Sequence, residues 1–342
     1  MNTQALIDTA QALVADHKGL LAMDESTPTC NRRFAALGIP QTEDARRAWR
    51  ELIIVTRGLN ECISGVILYD ETIRQHTQEG TSFLNVLIES GILAGIKVDM
   101  GAKEVPEHPG EKITAGLDGL SERLAEYAQM GARFAKWRAV FAIGEALPGH
   151  PCIEANAHAL ACYAALCQDA GLVPVVEPEV LMTGTHTLAR CQEVTVQVLT
   201  SVFHHLQEQE VMLEGIILKP NMVLPGLNCA EHSTADAVTD ATIACLLQVV
   251  PVTVPGIAFL SGGQSPQMAS SRLNALNTVS KTPLPWALTF SFARAIQQPA
   301  LEIWHGENVN VEAAQAALLH RARCNHAARR GAYTDAMEQS NP

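Results

Sequence analysis

Short apolar runs alternate with longer amphipathic stretches along most of this chain. The plainest run is Ile216-Ile217-Leu218, bounded by Gly215 and Pro220. Two of its three residues are β-branched and it shows no polar alternation, as expected of a strand buried on both faces. Seven further runs have the same character, at residues 19–23, 63–69, 93–99, 134–140, 172–179, 256–260 and 286–292. Between and around them, apolar residues recur at helical spacing over 7–14, 43–62, 82–90, 117–130, 152–170, 187–209, 236–250, 266–277 and 311–329. Residues 103–114 carry two prolines and Gly110 and read as a loop. Residues 331–342 read as a polar tail.

Eight apolar runs that alternate with helices, at intervals of roughly 30 to 45 residues, form the pattern of a (β/α)8 barrel, the TIM barrel of the α/β class. The competing architecture, an open doubly wound sheet, calls for a Gly-x-Gly-x-x-Gly turn after the first strand. Asp24-Glu25-Ser26-Thr27-Pro28 stands there instead. With no repeat and no linker in view, residues 1–342 are expected to form one barrel domain with an N-terminal helix.

Composition narrows the function classes. A net charge of -12 argues against a nucleic-acid partner. The nine cysteines form no Cys-x-x-Cys pair, which suggests reduced thiols and no zinc site. No apolar leader precedes Lys18 and no apolar stretch is long enough to span a bilayer, so a soluble cytoplasmic protein without a membrane partner is expected.

The chemistry gathers where the apolar runs end. In a barrel of this kind the active site lies at the C-terminal face of the strands. There the sequence sets Asp24, Lys97, Asp99, Lys136, Arg138, Glu177, Glu179, Lys219, Ser261 and Arg294. Lysine is seldom buried unless it is paired or reactive, and Lys219 follows the shortest run. A neutral amine at that position can attack a ketone and form a Schiff base, and the charge of Lys136, two strands away, would favour the neutral form. A salt bridge from Lys136 to Glu177 is the alternative for that lysine. Glu177 and Glu179 share a strand face, and the intervening Pro178 suggests that the strand ends there. Either glutamate is suited to moving protons. Asp24 is a candidate base on a substrate hydroxyl, or else a helix cap.

Ser261-Gly262-Gly263 precedes a helix and follows the seventh run, which suits a phosphate site that Arg294 would complete. Arg32 and Arg33 offer a second cationic group, or a solvated helix face. The histidines are scattered, so an amine is a better candidate than a metal for activating the carbonyl.

The motifs Leu21-Ala22-Met23-Asp24-Glu25-Ser26-Thr27, Phe134-Ala135-Lys136-Trp137-Arg138, Val176-Glu177-Pro178-Glu179, Leu218-Lys219-Pro220-Asn221-Met222, Phe259-Leu260-Ser261-Gly262-Gly263-Gln264-Ser265 and Leu288-Thr289-Phe290-Ser291-Phe292-Ala293-Arg294 resemble those of class I fructose-1,6-bisphosphate aldolases. The resemblance extends to Gly95-Ile96-Lys97-Val98-Asp99 and Gly116-Leu117-Asp118-Gly119-Leu120-Ser121-Glu122-Arg123, in the family's order. It implies a metal-free lyase acting on sugar phosphates, with Lys219 forming the imine. Glu177 would be the principal acid and base, Lys136 its assistant, and Asp24 the base where the carbon–carbon bond breaks. Ser261, Gly262 and Arg294 would hold the ketone phosphate. Ser26, Arg33, Lys97, Arg138, Gly263 and Ser291 fall among the substrate-binding positions. The family's usual assembly is a homotetramer. Two departures stand out: Ala293 replaces a usual glycine, and the chain's last tyrosine is Tyr333, with none at the end. Schiff-base cleavage of another sugar phosphate, or a non-catalytic interaction protein on the same scaffold, remains an alternative.

Overall fold

A computed structural model describes residues 2–231, 233–278 and 283–339. The expected tail reaches 342, so its last three residues lie outside that description.

The eight expected strands close into a parallel barrel. They are β1 (Gly19–Ala22), β2 (Ile63–Leu68), β3 (Leu93–Lys97), β6 (Phe134–Phe141), β7 (Val173–Val180), β8 (Ile217–Leu218), β9 (Gly256–Phe259) and β10 (Ala287–Phe292). The closed order is β1-β10-β9-β8-β7-β6-β3-β2. Two further strands, β4 (Ala102–Val105) and β5 (His108–Thr114), form an antiparallel hairpin outside the barrel.

That hairpin corrects the loop expected at 103–114. Most of its residues are exposed, so no apolar periodicity marked it. It is a two-stranded edge, where proline is tolerated, and Lys112 pairs with Glu104 across it at 3.0 Å. Helices at Thr27–Ala35 and Arg294–Trp304 also lie outside the expected set. The first opens on Pro28, and the second carries Pro299 inside it, and both features mask helical periodicity.

Strand alternation divides the apolar residues into two cores. Outward-facing residues such as Val176, Leu218 and Trp137 pack beneath the surrounding helices. Inward-facing residues such as Leu20, Ala22, Ile67, Phe134, Val173, Val175, Ile217 and Ala258 fill the barrel. Leu6, Ala10 and Leu13 of the first helix, Thr3–Leu13, join this inner core. The helix therefore closes the barrel at the ends where the strands begin. Glycine makes room inside: a Cβ on Gly95 would lie 2.2 Å from the Phe134 ring.

β7 runs through Pro178, with Ala139 opposite Pro178 and Val140 opposite Glu179. The expectation that the strand ends at this proline is thus corrected. The N–H groups of Val173 and Leu181 point toward β6, at Arg133 and Phe141. Even-numbered positions point the other way, toward β8, as when Val180 N–H donates to Asn221 Oδ1. β8 has only two residues, so Pro174 and Pro178 face a side with little ladder to lose.

Candidate active site

Several barrel strands turn from apolar to polar along their inward faces as they reach their C-terminal ends. On β7 the inward sequence is Val173, Val175, Glu177, Glu179. On β6 it is Phe134, Lys136, Arg138, and on β8 it is Ile217 followed by Lys219. Val176 pairs with Leu218, and Lys219 N–H continues the ladder to Val176 O at 2.8 Å. Lys136 lies opposite both Lys97 and Val175. Register alone brings these residues together.

Glu177 stands between the two lysines. Its Oε1 is 3.0 Å from Lys219 Nζ and its Oε2 is 3.1 Å from Lys136 Nζ. All three side chains are buried. Lys136 also reaches Asp24 Oδ2 at 2.8 Å and Asp99 Oδ2 at 3.8 Å. Burial opposes the charge on Lys136, yet Asp24, Glu177 and Asp99 together outweigh it and hold the ammonium well above its ordinary value. Burial likewise would raise the Asp24 carboxyl, but the charges of Lys136 and Lys219 hold it well below the usual carboxylate range.

The expected Lys136–Glu177 salt bridge is present, while Asp24 serves Lys136 and caps no helix. Glu179 accepts from Arg138 Nε at 2.5 Å. Lys97 donates to both Asp99 Oδ1, at 2.5 Å, and Asp99 O, at 2.6 Å. Asp99 also receives Gly101 N–H at 3.1 Å and Arg138 N–H at 3.2 Å. Asp99 was in view only as a strand-end carboxylate. Its place as a buried partner for Lys97, Lys136 and the β6 backbone depends on the register between β3 and β6, which spacing does not disclose.

A cavity of about 220 Å3 is lined by Asp24, Lys136, Glu177 and Lys219 together with Ser261, Gly262 and Arg294. Ser26, Lys97, Arg138, Glu179 and Ser291 also line it. The Ser291 hydroxyl is buried there and has no hydrogen-bond partner. Arg294 Nη2 donates to Gly262 O at 2.6 Å. Arg33 and Gly263 line an adjoining cavity of about 630 Å3 that also touches Arg294. Arg33 is held there by Glu25, Gln297 and Gln298. Ala293 has φ -103°, so its backbone does not call for glycine. Tyr333 is buried, and its hydroxyl donates to Glu338 Oε1 at 2.7 Å. No cluster of metal-ligating side chains was found among the described residues.

These residues offer an amine beside a carboxylate, which suits imine chemistry, with a glycine turn in the same cavity whose amides suit an anion. The comparisons agree. The family model for fructose-bisphosphate aldolase class-I matches residues 5–342. A probable fructose-bisphosphate aldolase class 1 of Xanthomonas campestris is 51% identical, over 95% of this chain and 97% of that protein. A fructose-bisphosphate aldolase of Dictyostelium discoideum is 49% identical, over 96% and 92%. Among solved structures, fructose-bisphosphate aldolase from Plasmodium falciparum, in a ternary complex with TRAP and a small-molecule inhibitor, superposes with a TM-score of 0.95. It is 46% identical and covers 97% of this chain and 95% of its own.

Proposed function

The chain belongs to the class-I fructose-bisphosphate aldolase family, and from that premise we propose how its own residues divide the reaction. The enzyme cleaves fructose 1,6-bisphosphate reversibly to dihydroxyacetone phosphate and glyceraldehyde 3-phosphate through a lysine Schiff base, the metal-free route of its class.

Lys219 Nζ attacks the ketose C2 carbonyl, and the carbinolamine loses water to give the iminium. Glu177 touches this amine and moves the protons of both steps. Asp24 then takes the proton of the C4 hydroxyl as the C3–C4 bond breaks. The bonding pair passes into the iminium as an enamine, and the aldehyde departs. Protonation of the enamine at C3 and hydrolysis return the amine. Lys136 bridges Asp24 and Glu177, holding Asp24 ionised and both carboxylates oriented for their separate turns.

Ser261, Gly262 and Arg294, with the unpartnered Ser291 hydroxyl, bind the ketose phosphate. Gly263 extends that turn. Ser26, Lys97 and Arg138 form the side that receives the other end of the substrate, Arg33 supports binding from the adjoining cavity beside Arg294, and Glu179 fixes Arg138. The chain works as one barrel domain in a cytoplasmic homotetramer. Among the described residues no helix is long and apolar enough to cross a membrane.

The observation that carries this reading is one buried glutamate with a lysine on each oxygen. Borohydride reduction in the presence of dihydroxyacetone phosphate, followed by peptide mapping, tests it. The adduct is expected on Lys219, and an adduct on Lys136 or Lys97 would reassign the nucleophile.

A further inference from the structure

The turn after β9 is closed by Gln264 N–H donating to Ser261 O at 3.1 Å, with Gly262 at φ 56°. Its next amide has an unusual partner: Gly263 N–H donates to the thioether sulfur of Met182 at 3.4 Å. A Cβ on Gly262 would lie 3.0 Å from the same sulfur, so Met182 lies against both glycines.

Met182 belongs to the segment that leaves β7, the strand carrying Glu177 and Glu179. That segment is pinned. Met182 O accepts Leu227 N–H at 2.8 Å, Gly184 O accepts Asn228 N–H at 3.0 Å, and His186 O accepts Gly226 N–H at 2.8 Å. At its start, Leu181 N–H donates to Phe141 O at 2.9 Å. The thioether thus connects an anchored segment to the Gly263 amide of a turn whose flanks are held by Gln264 Nε2 on Ser261 O, at 3.1 Å, and by Arg294 on Gly262 O.

We propose that Met182 is a positioning residue for the ketose phosphate. Its sulfur holds the Gly263 amide and thereby fixes the pose in which Ser261, Gly262 and Arg294 face the cavity. The thioether sulfur acts as the acceptor, and its bond to the Gly263 amide restrains the turn. The inference rests on reading this turn as the ketose-phosphate site.

Two variants separate the acceptor from its bulk. Met182→Leu keeps the volume and removes the acceptor, and Met182→Gln keeps the length and supplies an oxygen acceptor. The probe is glycerol 3-phosphate, which carries the phosphate and cannot form an imine. Its Kd is measured by calorimetry beside KM and kcat for fructose 1,6-bisphosphate. Met182→Leu is expected to raise Kd and KM by roughly two- to tenfold, the worth of one hydrogen bond, with a smaller change in kcat. Met182→Gln is expected to stay near the wild type. A leucine variant that binds normally, or equal losses in both variants, would overturn the role. Arg294→Ala in the same titration keeps the two readings apart. If it leaves glycerol 3-phosphate binding intact, the phosphate site is misplaced. If it weakens binding while Met182→Leu does not, the Met182 inference alone fails.

Discussion

Lys219 and Glu177 occupy equivalent positions on adjacent strands, each one residue beyond the in-register pair Leu218 and Val176, and their charged atoms stand 3.0 Å apart. Both side chains are buried, so the carboxylate is the amine's immediate polar neighbour in a site largely closed to water. Replacement of Glu177 by Gln keeps the shape and removes the proposed proton carrier. It should lower kcat by ~10² to 10⁴ while KM changes far less, because positioned proton transfer contributes about that much. Steady-state kinetics check this, and an unchanged kcat would move the role to Glu179.

Asp24 gives a pH dependence of definite sign. Its carboxyl is held low in the folded protein by Lys136 and Lys219 against the opposing effect of burial, and it is ordinary in the unfolded chain. A depressed carboxylate adds stability above its unfolded value of about 4, and the gain disappears as pH falls toward the folded value. The stability difference between wild type and Asp24→Asn should therefore be largest near neutrality and should shrink below pH ~4. Urea denaturation at several pH values measures it. A difference that stayed constant into acid would mean that Lys136 does not hold Asp24 ionised.

Gly95→Ala tests the barrel interior. The added Cβ would meet the Phe134 ring at 2.2 Å, too close for the ring to remain where it is. Overpacking of this kind costs about 1–3 kcal/mol. Phe134→Leu in the same chain should recover part of the loss, since contacting sites are not additive. Denaturant midpoints of the single and double variants decide it, and full additivity would show that the ring is not the obstacle.

Thiol titration probes packing across the whole molecule. Seven of the nine cysteines are buried, while Cys162 and Cys229 are partly exposed. Burial pushes the Cys62 thiol up to about 11 and the Cys245 thiol up to about 12, so little thiolate forms at either near neutrality. Native protein treated with Ellman's reagent should show fast labelling at Cys162 and Cys229 only, with all nine reacting in guanidinium. Fast labelling of Cys62 or Cys245 would contradict the packing.

The barrel was legible because parallel strands buried on both faces read as unbroken apolar runs, and all eight runs became strands. The hairpin escaped because its residues are mostly exposed and polar, leaving no periodicity to see. The helix Arg294–Trp304 escaped because Pro299 interrupts its pattern. Within the site, residue types at strand ends were enough to nominate Lys219, Glu177, Lys136 and Asp24. Which carboxylate faces which lysine depends on register and strand order, as the central place of Glu177 shows. Met182 carried no signal at all, because a lone methionine after a strand is indistinguishable from core filler.

The first helix seals the barrel where its strands begin, with Leu6, Ala10 and Leu13 packed into the inner core. The chamber therefore opens at the C-terminal ends of the strands. Both halves of a cleaved sugar must leave by the opening through which the whole sugar entered. On the proposed route, the half bonded to Lys219 cannot leave until water reaches its carbon, while the aldehyde is free once the bond breaks. Departure is thus a queue, aldehyde first, and in the synthetic direction the ketone must be seated before its partner comes in.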